Sequence, residues 1–155
     1  MKELSFLLPK GFRFVGVIFT GVGTFLGIMR FYFGVKPDLL DQKVFAVYSV
    51  YLKTRTMKVE SNQLIEEIVG LLVILGLFMI AFAREKNESP QISSIRLKAF
   101  FISFYINAIF LITSIIFTFG LAFIYMTILN LVLPLSIYII AFQIMAGIER
   151  KKVLI

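Results

Sequence analysis

Glu66 and Glu67 stand side by side at the head of one apolar run, and Arg30 lies near the end of the run before it. Adjacent carboxylates are the residue types of acid–base pairs and cation sites. On a helix, however, successive side chains project about 100° apart, so these two do not converge on one atom. An ion pair between Arg30 and the Glu66/Glu67 turn uses the three residues better, because charges inside apolar segments tend to pair. The rival is that Arg30 reaches the headgroups with its charged tip while the glutamates complement a helix N-terminus.

A second constellation is uncharged. Proline lacks an N–H and crowds the carbonyl four residues back, so Pro134 frees the carbonyl of Asn130. Asn107 falls at a matching depth if the two segments form a hairpin. Its amide is then expected to bond that carbonyl, or the Asn130 side chain, with a bend near Pro134. Ser103, Ser114, Thr127 and Gln143 add further polar groups. Such residues read as glue between helices, or more sharply as a solute pathway. A third set is sterically small. Gly16, Thr20, Gly23 and Gly27 share one helical face. That pattern lets backbones approach closely, against a second copy or against another helix of the same chain.

Other chemistry is thinly provided. The chain has no Cys, His or Trp. It therefore lacks thiol nucleophiles, thiolate or imidazole metal ligands and the commonest general base near neutral pH. No phosphate-binding loop, nucleophile elbow or nucleotide fingerprint occurs. Gly21-Val22-Gly23 sits within an apolar run and is not a dinucleotide loop. No catalytic residue, metal ligand or cofactor is expected.

The elements that carry these residues follow from hydropathy. Of 155 residues 59% are hydrophobic, above the roughly 45–50% of soluble domains. A crossing helix needs about 20 mostly apolar residues. Four such spans fit, at about 14–34, 64–83, 98–118 and 123–145. The last two are separated by a turn at Gly120, because the chain carries no charge between Lys98 and Glu149. The first span follows Lys2, Lys10 and Arg13, but its apolar stretch is long for a cleaved leader and no small-residue cleavage site precedes Arg30, so it reads as an anchor.

Lys and Arg orient the spans. The N-terminus, the loop at about 84–97 with Lys98 just beyond it, and the tail hold 10 of the 16 basic residues, and that side is net +6. The other side is net +1. The positive-inside rule then places both termini in the cytoplasm. The total charge of +7 is assigned to topology and anionic headgroups, not to nucleic acid. The outer loop, about 35–63, contains Val44-Phe45-Ala46-Val47-Tyr48-Ser49-Val50-Tyr51-Leu52, whose Val and aromatic content favours a strand. A helix also fits, since Leu40, Val44, Val47 and Tyr51 share a face. Ser89-Pro90 is a good N-cap and first-turn pair, so the third helix is expected to start near Pro90.

The stretches Phe33-Gly34-Val35-Lys36-Pro37-Asp38-Leu39-Leu40, Val44–Ser49, Asn62–Ile68 and Gly76–Lys86 resemble a group of small uncharacterised bacterial four-helix membrane proteins. The resemblance implies a bacterial inner membrane and supplies no activity and no site residues. The reading is an all-α membrane protein, four transmembrane helices in one bundle domain over 1–155, with a small outer loop that leans to β. Its expected role is a non-catalytic sensory, regulatory or accessory subunit; the alternative is an oligomeric channel or small-solute transporter. A lipid-directed enzyme is the weakest of the readings. Expected partners are membrane lipids, a second copy, or a membrane or cytoplasmic protein.

Overall fold

A computed structural model describes residues 7–34, 41–50, 54–85 and 89–153, with backbone alone for 41–50, 54–63 and 151–153. In order the elements are α1 (Gly11–Phe31), β1 (Asp41–Val50), β2 (Thr54–Gln63), α2 (Ile65–Phe82), α3 (Pro90–Phe117) and α4 (Leu121–Val153). All four helices are long and apolar enough to cross a membrane, as in a multi-pass membrane protein. At 1.5 Å per residue, α1 and α2 reach about 31 and 27 Å, close to a hydrocarbon core of about 30 Å. Only 11% of the most apolar window of α1, and the same share of α3, is buried within the chain. Apolar surface on that scale has no place in water, and a helix that satisfies its own backbone tolerates hydrocarbon there.

The helix ends follow local chemistry. The Ser89 hydroxyl accepts the backbone N–H of Ile92 at 3.3 Å, and Pro90 occupies the first turn. α3 therefore starts at Pro90, as the Ser89-Pro90 pair predicts, and residues 90–97 of the inner loop are its helical extension ahead of the span. Gly120 separates α3 from α4 with φ +63°, a left-handed conformation that glycine adopts without strain. α4 continues to Val153, past the apolar span, because no proline stands between Met145 and Lys152 and the one weak helix former there, Gly147, is flanked by good ones. α1 covers 11–31 where about 14–34 was expected.

β1 and β2 pair antiparallel, from Asp41 opposite Gln63 to Val50 opposite Thr54. The connection at 51–53 lies outside the described residues. So do the start of the outer loop at 35–40 and the inner-loop residues 86–88, and the side chains of Leu40, Val44, Val47 and Tyr51, expected to share a face if the loop were helical, lie outside them as well.

Two compact units are distinguished. One comprises Met1–Thr20 with Ile74–Ile155, the other Gly21–Val73. In the first, α3 and α4 pack together and a core forms around Ala81, Ile95, Ala99, Tyr138, Phe142 and Ala146. Ala99 is fully buried and lets α3 approach closely, while Tyr138 stacks on Phe82 and on Phe142, each at 6.1 Å between centroids. Leu8 is hydrogen-bonded in parallel fashion beside Ala83: its N–H donates to the Phe82 carbonyl and its carbonyl accepts from Arg84, both at 2.9 Å. Within this unit Gly16 and Thr20 of α1 face Gly76 of α2. A Cβ on Gly16 would lie 2.7 Å from the Gly76 carbonyl oxygen. In the second unit Gly23 meets Leu72 and Val73, and Gly27 meets Val69. The glycine face of α1 thus packs within the chain in both units.

Candidate functional site at Glu85 and Arg96

The α2–α3 junction carries the densest polar chemistry among the described residues. Glu85 follows the last turn of α2 and is buried. One carboxylate oxygen accepts from Arg13 Nη1 at 2.6 Å and the other from Arg150 Nη2 at 2.8 Å. Arg13 belongs to the first turn of α1 and Arg150 to the last turns of α4, so one carboxylate joins three helix ends. Both bonds have the short length of charge-assisted contacts. Arg13 and Arg150 keep 38% and 53% of their side chains exposed, so water weakens both pairs. A carboxylate held on both oxygens by guanidinium groups is a tie between chain segments.

Arg96 lies one and a half turns into α3 and is only 5% exposed. Its Nη2 donates to the Ala83 carbonyl at 2.9 Å and its Nη1 to the Ala81 carbonyl at 3.2 Å. The last carbonyls of a helix have no partner within it and carry its negative dipole end. Arg96 therefore caps α2 from a neighbouring helix. Its guanidinium carbon sits 4.4 Å from the centroid of the Phe142 ring, within cation–π range. The Tyr138 hydroxyl, at 3.5 Å, is a marginal contact. Sequence reasoning placed Glu85 and Arg96 among loop charges that only orient the chain. A signal for Arg96 did exist: Ile92, Arg96, Ala99 and Ser103 recur at helical spacing, and all four are buried. Nothing local pointed to the partners of Glu85, which stand 72 and 65 residues away.

The expected constellations come together in part. Arg30 Nη2 donates to Glu66 Oε1 at 2.7 Å, with 16% and 51% of the two side chains exposed. Glu67 is exposed on the next position. Arg30 Nε is buried without a hydrogen-bond partner among the described residues. Asn130 Nδ2 donates to Asn107 Oδ1 at 3.1 Å, so the two amides meet side chain to side chain. α4 is helical through Pro134. Ser103, Ser114 and Thr127 donate to carbonyls of their own helix, three or four residues back, and do not bridge helices. That is the usual alternative for a short hydroxyl side chain.

A shallow groove of about 470 Å³ runs along α1 and α2 in the second unit, lined by Gly23, Gly27, Phe31, Val69 and Val73 among others. Its walls are apolar, and they offer packing with no convergent polar groups. No family model, curated protein or solved structure matches the chain.

Proposed function

We propose that the chain is a non-catalytic sensory, regulatory or accessory subunit of a membrane, with both termini in the cytoplasm. The observation that carries this reading is the Glu85 tie. The strongest polar groups of the first unit join the start of α1, the end of α2 and the end of α4 and are engaged with one another. Arg13 and Arg150 keep 38% and 53% of their side chains exposed around it, and Lys98 of α3 is exposed as well. Such exposed basic groups suit anionic headgroups or an acidic protein surface. The β1–β2 hairpin, on the side with the smaller net charge, is the element available to an external signal. The resemblance noted above supports a bacterial inner membrane.

The test has two arms. Native-level expression and mild-detergent purification, followed by mass spectrometry, should recover a stoichiometric membrane or cytoplasmic protein. Solute flux through proteoliposomes of the pure chain, with no partner recovered, would sink the reading in favour of a channel. Topology is checked separately, since the chain has no native cysteine. Ser49→Cys should react with a membrane-impermeant thiol reagent in intact cells and Asn87→Cys should not. The opposite pattern reverses the orientation.

A further inference from the structure

Asn107 stands ten residues before the end of α3 and Asn130 nine after the start of α4. Both are therefore about 14–15 Å from the Gly120 turn, near the middle of a hydrocarbon layer about 30 Å thick. Two carboxamides hold four N–H donors and two carbonyl oxygens. Their mutual bond uses one donor and one acceptor. Among the described residues neither amide has a further partner, and both side chains are only half-buried. The neighbouring hydroxyls are satisfied within their own helices; the amides are not. Hydrocarbon supplies no substitute for water to such groups.

A second observation concerns the face around them. Thr127, Leu131, Tyr138 and Phe142 follow one another at spacings of 4, 7 and 4, so they share one side of α4. Tyr138 and Phe142 are core, yet Leu131 is 60% exposed and Thr127 is also exposed. The buried stripe of α4 continues toward Gly120 as an open one.

We propose that this stripe is covered by a second copy of the chain, joined through Asn107 and Asn130. After their internal bond, Asn107 retains its N–H groups and Asn130 its carbonyl. These are mutually complementary, so a two-fold axis beside them lets Asn107 of each copy donate to Asn130 of the other. An isologous contact needs this self-complementarity, and polar side chains are the interhelical adhesive that hydrocarbon leaves available. Thr127 and Leu131 then close the contact on either side of the amides.

Single cysteines in the otherwise cysteine-free chain test this in native membranes. Under mild oxidation Thr127→Cys or Leu131→Cys should give a covalent dimer of the chain. Ile140→Cys, exposed on the opposite side of α4, should not. Equal cross-linking at Ile140, or capture of a different protein at Leu131, overturns the proposal. In liposomes, two interhelical bonds lost through Asn107→Leu should raise the dimer dissociation constant about tenfold. An unchanged constant, or a wild-type chain that stays monomeric at every protein-to-lipid ratio, also overturns it. The cysteine pattern is read on chains that keep both asparagines, so a folding defect in Asn107→Leu does not blur the outcome.

Discussion

Replacing Arg96 with leucine separates a structural cap from a charge that merely orients the chain. The substitution removes hydrogen bonds to the carbonyls of Ala81 and Ala83, which lie on residues only 2% and 4% exposed. A buried acceptor left without a partner costs about 1–3 kcal/mol. Loss of the contact with Phe142 adds about 1–2 kcal/mol. Against this, a buried guanidinium carries a desolvation penalty of several kcal/mol that leucine escapes. The balance expected is a destabilisation of about 3 kcal/mol, at the low end of what breaking a buried charged contact costs. Arg96→Lys decides the mechanism. An ammonium is one compact charge and cannot span two carbonyls as the guanidinium fork does. It should recover about half of the loss. SDS-driven unfolding in mixed micelles, followed by circular dichroism, reads the difference. If Arg96→Leu lies within about 0.5 kcal/mol of wild type, below the cost of even one orphaned carbonyl, the capping argument fails. If Lys and Leu behave alike, the charge contributes nothing.

Two further outcomes follow from the geometry. Gly76→Leu should destabilise by about 1–3 kcal/mol, because its Cβ would lie 2.6 Å from Thr20 N and 2.8 Å from the Gly16 carbonyl oxygen. Gly70→Ala, with nothing within 4 Å of the added carbon, should be neutral or stabilising by up to about 1 kcal/mol in the same unfolding assay. The Arg30–Glu66 pair should be worth no more than about 1 kcal/mol, since Glu66 is half exposed. Arg30→Leu also removes an unsatisfied buried N–H, so its melting temperature should fall by less than that of Glu66→Arg, and the Arg30→Glu/Glu66→Arg swap should restore stability.

Legibility in the sequence followed the range of the interactions. The start of α3 was readable because Ser89 and Pro90 act on their own first turn. The Gly120 turn was readable because one residue type tolerates that backbone. The glycine face of α1 announced close packing, but not its partner, and only the placement of Gly76 and Val73 identifies α2. The Asn107–Asn130 contact was reachable by counting depth in a hairpin. Glu85 was not reachable, because a carboxylate in a short charged loop looks the same whether solvated or clamped. Arg96 was misassigned by a subtler route. The start of α3 near Pro90 was expected, but Arg96 was counted with the loop charges because a basic residue beside an apolar stripe reads as solvated, and only its contacts with the Ala81 and Ala83 carbonyls show it buried.

The Glu85 tie also orders events during synthesis. Arg13 leaves the ribosome 72 residues before Glu85, about 4–14 s at ordinary elongation rates. For that interval the head of α1 has neither its carboxylate partner nor the Phe82 carbonyl that receives the Leu8 N–H. Arg150 arrives a further 65 residues later. The knot at the helix ends therefore closes in two stages, the second only once the far end of α4 has been made. Until then α1 and α2 are joined by their glycine contacts, the Leu8 backbone bonds and the Arg13–Glu85 pair, so a ribosome stalled before Arg150 would present a chain in which α4 is not yet tied to Glu85.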